Sequence, residues 1–388
     1  MSLRDKIIAE IRSNGPIPFS RYMELCLYDP EHGYYSRNAE QFGKGGDFYT
    51  SSDVHAVFGR LLARQFEEMW RALGSPEKIE ILELGPGRGL FARDVLDWSE
   101  KKFPEFFGAV HYSLSERSAT LREGLQVSLE PHFARSKASL AKPRNPLSIR
   151  ALAPEVPLIL FANEFFDALP VEVLSQQGEL RITEQNGRFA ESWVPASAEN
   201  LEYLECYSVH PEGGERIETA RMATKYMSEA TAEIQNGFLV AIDYGYTRPE
   251  QLAGRYRGTV TAYRQHSVSA DPYEAPGAQD ITAHVNFTAL AAAAAQQGLD
   301  AQPLLTQSQF LMGIGQANQF ADAFEDCRLP QERAKVALQL KHLVTPAGLG
   351  ESFHVLVASK GVAADQVAGL SGLSFAATTS WPLARSTP

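Results

Sequence analysis

Three cysteines in 388 residues, Cys26, Cys206 and Cys327, lie far apart and form no CxxC pair, which excludes a disulfide framework and a thiolate metal site. His266 and His284, the histidines of a long loop, carry no metal-ligand spacing either, so no metal is expected. No apolar run approaches the roughly 20 residues that a membrane span requires, and no membrane insertion is expected. Positive charge is in deficit: 36 Lys and Arg stand against 47 Asp and Glu, a net charge of −11. Nucleic-acid phosphates need a basic footprint, and this chain lacks one. The acid excess is compatible with a basic peptide or an arginine substrate, and equally with an ordinary soluble acidic protein. The opening MSLRDKIIAEIRSNG contains Asp5 and Glu10 and has no apolar core, so it reads as neither a secretory signal nor a transit peptide. With the scarce cysteines, that gives the cytoplasm as the expected compartment.

What is present centres on residues 78–95, KIEILELGPGRGLFARDV. The apolar run Ile79, Ile81, Leu82 and Leu84 stops at Gly85, Gly87 and Gly89, and a helical pattern follows through Phe91 and Val95. Strand, glycine loop and helix in that order bring backbone N–H groups and a helix N-terminus close to a ligand. The dinucleotide fingerprint has two residues between its second and third glycines; here there is one. Glu83, two positions before the first glycine, would repel a pyrophosphate and attract a cation. S-adenosylmethionine meets both conditions, with a charged amino group, a sulfonium and no phosphate. An acid at the tip of the next strand would accept from its ribose hydroxyls. The stretch VHYSLSE supplies it in Glu116.

Two further runs, PLILFANE at 157–164 and GFLVAIDYG at 237–245, are continuous and apolar, as in strands buried on both faces. They end in Asn163, Glu164 and, shortly after, Asp167, and in Asp243 and Tyr244. Polar residues at such strand ends face the crevice where open α/β sheets bind ligands. The glycine- and hydroxyl-rich loop GKGGDFYTSS reads as a lid or as a plain helix cap, with Asp47, Thr50 and Ser51 as its candidate ligand contacts. Between the two runs lies an insertion too long for a simple crossover, with alternating strands and an Asn186-Gly187 hairpin turn. Residues 255–287 read as mostly loop, carrying Asp280 and His284. FHVLVAS at 353–359 reads as a last strand.

These stretches have a family likeness. YDPEHGYYS, GGDFYTSSD, ELGPGRG, NEFFDALPV, DYGY, GTVTAYRQH, PGAQDITAHVNF and TQSQFLMGIG occur in that order across most of the chain. They resemble the MidA-like S-adenosylmethionine-dependent methyltransferases, a family that includes a mitochondrial complex I assembly factor with protein-arginine methyltransferase activity. The sequence departs from the family pattern at Ser52 and His55. The resemblance implies an α/β fold with a Rossmann-like class I methyltransferase sheet, mostly parallel with an antiparallel last strand and helices on both faces. An N-terminal helical segment (1–75) and an inserted β-hairpin cap (171–235) would join a core of 76–170 and 236–362, leaving 363–388 as a weakly patterned tail.

The implied cofactor is S-adenosylmethionine, held by Asp47, Thr50, Ser51, Glu83, Gly85, Gly87, Gly89, Glu116 and Asn163. The implied partner is a protein with an accessible arginine, such as a subunit of respiratory complex I or another assembly client. A guanidinium stays protonated in water, so carboxylates must orient it and hold its charge on the nitrogens that do not react. Glu164 and Asp243 are the first candidates and Asp280 the next, with His284 to accept the released proton. The rival readings are a small-molecule methyltransferase and a non-catalytic assembly chaperone that binds the cofactor. A nicotinamide dehydrogenase is disfavoured by the glycine spacing and Glu83.

Overall fold

The computed structural model describes residues 1–37, 56–141, 151–264, 267–269 and 271–376. Its centre is a sheet built from β1 (Ile79–Leu84), β2 (Val110–Ser115), β3 (Ala138–Leu140), β4 (Leu158–Asn163), β5 (Gly237–Tyr246), two short pieces β6 (Asp300–Ala301) and β7 (Leu305–Thr306), and β8 (Phe353–Lys360). Across the sheet the order is β3, β2, β1, β4, β5, β8, with β6 and β7 both paired to the outer edge of β8. Pairing is parallel from β3 to β5. β8 runs antiparallel to β5. The order reverses between β1 and β4, and there the carboxyl ends of the strands open a crevice.

The continuous apolar runs follow from burial on both faces, because successive side chains of a strand point to opposite sides. On β4, Ile159 and Phe161 join one core with Phe58, Phe66 and Phe91, while Leu158, Leu160 and Ala162 join another with Met227, Phe287 and Leu290. β5 divides the same way, Phe238, Val240 and Ile242 against Leu239 and Ala241. The helix Leu90–Lys102, which starts at the glycine loop, is tied to β4 by Phe91 stacked on Phe161 with ring centroids 4.5 Å apart.

The insertion forms a five-stranded sheet in which one strand is borrowed: Ile17–Pro18 pairs antiparallel with Gly178–Gln185. The hairpin turn between Gly178–Gln185 and Arg188–Val194 has positive φ at both Asn186 (52°) and Gly187 (78°), as an Asn-Gly pair allows. The helices Leu3–Asn14 and Phe19–Tyr28 bury Ile7, Ile11, Tyr22 and Met23 against Val173, Leu180 and Ile182 of this cap, and against Ile281. The helix Ala56–Ala72 instead packs on the central sheet. So the N-terminal stretch is divided between two cores.

Two stretches are more ordered than their sequence pattern indicated. Residues 255–287, read as mostly loop, contain a three-stranded sheet of Thr261–Arg264, Ser267–Ser269 and Asp280–Thr282. After residue 363, Val367, Leu370 and Leu373 are buried, and the Gly372 N–H donates to Gln65 at 2.8 Å. Among the described residues no helix is long and apolar enough to cross a membrane, and no group of three His, Cys, Asp or Glu could hold a metal. The Phe91→Ala variant should lose about 3–5 kcal/mol of unfolding free energy in denaturant titration, because it empties a fully packed aromatic site behind the glycine loop. A loss under about 1 kcal/mol would mean that this stack does not fix the loop.

Candidate active site

All three loop glycines have positive φ, 63° at Gly85, 53° at Gly87 and 73° at Gly89. They are glycines for different reasons. A Cβ at Gly85 would lie 2.8 Å from the Phe165 ring, and one at Gly89 would lie 2.6 Å from Leu125. At Gly87 it would meet nothing within 4 Å, because this residue lines a cavity of about 1630 Å³ at the strand ends. The outer glycines let the loop pack; the middle one leaves space for a ligand.

Buried polar groups surround that space. Glu83 is buried and accepts from the Tyr112 hydroxyl at 3.0 Å. Burial pushes its carboxyl up to about 8, the tyrosine bond pulls the other way, and the nearby Glu116 adds to the rise. Glu116, at the tip of β2, is pushed up to about 7 by burial against the pull of backbone N–H donors, among them Ser118 at 2.8 Å. Asn163 ends β4 with its Oδ1 buried and without a partner. Two carboxyls whose proton affinity burial raises, a buried amide oxygen without a partner and an open glycine suit a cationic ligand bearing hydroxyls.

Beside this half of the cavity lies a second set of acids. Directly after β4 the chain turns sharply through Glu164, which takes a φ of +50°, an uncommon conformation for a side-chain-bearing residue. The turn is held from β5. Asp243 Oδ2 accepts the N–H groups of Phe165 (3.2 Å), Phe166 (3.0 Å) and Asp167 (3.3 Å), and its Oδ1 accepts that of Tyr244 (3.0 Å). Asp167 is thereby brought to the cavity wall. The Tyr244 hydroxyl donates to its Oδ2 at 2.5 Å, and its Oδ1 is buried without a partner. Burial pushes the Asp167 carboxyl up to about 6. Asp280 lines the same cavity and accepts from the Tyr35 hydroxyl at 2.9 Å.

Of the residues singled out by sequence, Glu83, Gly85, Gly87, Glu116, Asn163, Glu164 and Asp280 line this one cavity. Gly89 sits just behind it, capping the helix Leu90–Lys102. Asp47, Thr50 and Ser51 lie outside the described residues. Asp243 does not line the cavity: it is 1% exposed and its oxygens are occupied by four backbone amides, so it shapes the turn and is not free to grip an acceptor. Nor does His284 line it. Its ring packs on Tyr244 and Tyr256, and burial and His354 lower its proton affinity. Sequence reasoning noted Asp167 without choosing it and gave no role to Tyr28, Tyr34 and Tyr35, which line the cavity from the N-terminal segment. Their only signal was the tyrosine-rich motif itself.

A doubly covered, mostly parallel sheet with acids at the ends of β1 and β2 and a glycine loop that carries no phosphate fingerprint defines a class, the S-adenosylmethionine-dependent methyltransferases. Residues 61–305 match the family described as "Putative S-adenosyl-L-methionine-dependent methyltransferase", and the chain belongs to it. A curated relative, the Drosophila melanogaster protein arginine methyltransferase NDUFAF7 homolog, mitochondrial, is 30% identical over 94% of this chain and 86% of its own. The human protein arginine methyltransferase NDUFAF7, mitochondrial, is 27% identical over 90% and 81%. A crystal structure of a Burkholderia thailandensis protein bound to S-adenosylhomocysteine is 28% identical, with a TM-score of 0.79 over 96% of this chain and 94% of that one. The relatives' names read mitochondrial, which differs from the cytoplasmic expectation for this chain.

The raised carboxyls make binding proton-linked. Near pH 7 a carboxyl at about 8 is mostly protonated in the free protein. A cation bound beside it would favour the ionised form, and the proton would leave on binding. Calorimetric titration with S-adenosylmethionine in two buffers of different ionisation enthalpy should therefore show net proton release that shrinks in the Glu83→Gln variant. Buffer-independent heats would contradict this assignment. The Gly87→Val variant should remain folded, since its side chain enters open space, at a cost of about 1–3 kcal/mol for the φ it must hold. It should lose measurable binding in the same titration.

Proposed function

We propose that this methyltransferase acts on an arginine side chain of a protein. The observation that carries the reading is the convergence of Asp167, Glu164 and Asp280 on the cavity that also receives the glycine loop. A guanidinium cannot be deprotonated by ordinary bases in water, so its acceptor nitrogen must be oriented and its charge held elsewhere on the group. Carboxylates do both through paired hydrogen bonds.

The cofactor, when bound, supplies an electrophilic methyl group on a sulfonium. Glu83, Gly87, Glu116 and Asn163 are the residues proposed to hold it. Glu164 and Asp167 lie on one turn whose backbone is held by Asp243 and by the Ile242 carbonyl. Asp280 approaches from a different strand, steadied by Tyr35. Asp167, with its proton affinity raised by burial, is placed to take the proton released after transfer. The cavity, at about 1630 Å³, exceeds the roughly 300–1,000 Å³ of ordinary small-molecule pockets, leaving room for a segment of a protein beside the cofactor. The curated relatives are named protein arginine methyltransferases. By resemblance, the client is a respiratory complex I subunit or another protein in assembly.

Incubation with methyl-labelled S-adenosylmethionine and cell extract, followed by acid hydrolysis, should place the label on methylarginine. The Asp167→Asn and Glu164→Gln variants should each lower kcat/KM on that acceptor by about 100-fold, the scale of losing one charged contact in a dry site, with cofactor affinity within threefold of native. Label confined to the small-molecule fraction, or full activity in both variants, would overturn the reading.

A further inference from the structure

The N-terminal segment contributes more to the cavity than the fold requires. Tyr28, at the end of the helix Phe19–Tyr28, and Tyr34 and Tyr35, in the short helix Tyr34–Arg37, form a contiguous aromatic surface on its wall. The Tyr28 and Tyr35 ring centroids are 5.6 Å apart with planes tilted by 31°, and Tyr34 meets Tyr35 edge-on at 5.2 Å. Two of the rings are tied to the acidic side of the cavity by their hydroxyls. Tyr28 donates to the Ala168 carbonyl at 2.9 Å, next in the chain to Asp167. Tyr35 donates to Asp280 at 2.9 Å. Tyr34 is buried and Tyr28 and Tyr35 are half-buried, and all three line the cavity.

This surface already engages one guanidinium, the chain's own. Arg117, which follows the acid at the tip of β2, places its guanidinium carbon 5.5 Å from the centroid of the Tyr28 ring. An aromatic face attracts a planar, weakly hydrated guanidinium by its quadrupole and by stacking. A lysine ammonium is a compact, strongly hydrated point charge that gains less from a flat wall. The carboxylates beside the wall attract either cation, and the aromatic face adds a preference for the guanidinium that charge alone does not supply.

We propose that Tyr28 and Tyr35 form the guanidinium-stacking side of the acceptor site and select arginine over lysine, with Asp167, Glu164 and Asp280 supplying the charge. The inference rests on the arginine reading above and adds what chooses the acceptor. It makes the N-terminal segment part of the specificity machinery, in addition to its contact with the cap.

The test separates the wall from the transfer reaction by measuring binding to the protein saturated with S-adenosylhomocysteine. The probes are Nα-acetylarginine amide and Nα-acetyllysine amide, followed by ligand-observed NMR. The native protein should bind the arginine probe about tenfold more tightly. The Tyr35→Leu variant should lose most of that preference, and Tyr35→Phe, which keeps the ring but not the bond to Asp280, should retain it. Unchanged affinity for S-adenosylhomocysteine in both variants shows that the fold and cofactor site are intact. No preference in the native protein, or a preference that survives Tyr35→Leu, would overturn the proposal. If the preference behaves as expected but no arginine is ever methylated, the wall stands and the arginine-transfer reading falls.

Discussion

One carboxylate sets the geometry of the acidic half of the site. Asp243, at the end of β5, reaches across to the end of β4 and accepts three successive N–H groups of the turn there, and a fourth from its own strand. Without an acceptor those amides would be buried and unsatisfied. With it, the chain is held in a turn tight enough to force Glu164 to a positive φ and to bring Asp167 to the cavity wall. Burial and the adjacent Asp167 raise the proton affinity of Asp243, while the four donors favour its ionised form. The arrangement turns one buried charge into a rigid backbone scaffold for others.

The cavity divides by sheet position. On the β1 and β2 side, the glycine loop is held by packing at its outer glycines, Glu83 by the Tyr112 hydroxyl and Glu116 by the Ser118 amide. On the β4 and β5 side, Asp167 and Glu164 are held by Asp243, and Asp280 by an N-terminal tyrosine. The two halves meet at Asn163 and Glu164, adjacent residues whose side chains share a hydrogen bond of 3.2 Å. In the proposed assignment, cofactor and acceptor sides therefore adjoin at two neighbouring positions at the carboxyl end of one strand.

Much of this was legible in the sequence, and the limits have physical reasons. Continuous apolar runs ending in polar residues marked β1, β4 and β5, because burial on both faces leaves a one-dimensional signature. The glycine loop and Glu83 could be read because their chemistry is local. What could not be read was whether a strand-end acid faces the cavity or the backbone. Asp243 and Asp167 look alike in sequence; only the path of the turn after β4 makes one a scaffold and the other a wall. His284 was misplaced for the same reason, since its loop folds into a three-stranded sheet that sets its ring behind Tyr244. Tyr28 and Tyr35 come from a segment whose sequence pattern reports only its own helices, and which reaches the site by packing on the cap and on the strand that carries Ile281.

The central claim is geometric: the turn after β4 presents carboxylates to an arginine while the glycine loop holds the cofactor. The most direct measurement is a crystal structure of the protein with S-adenosylhomocysteine and an arginine-containing client peptide. The account predicts the guanidinium within hydrogen-bond distance of Asp167 and Glu164, one face on the Tyr28–Tyr35 wall, and one nitrogen directed at the cofactor sulfur. A guanidinium bound elsewhere, with these carboxylates facing only water, would contradict it.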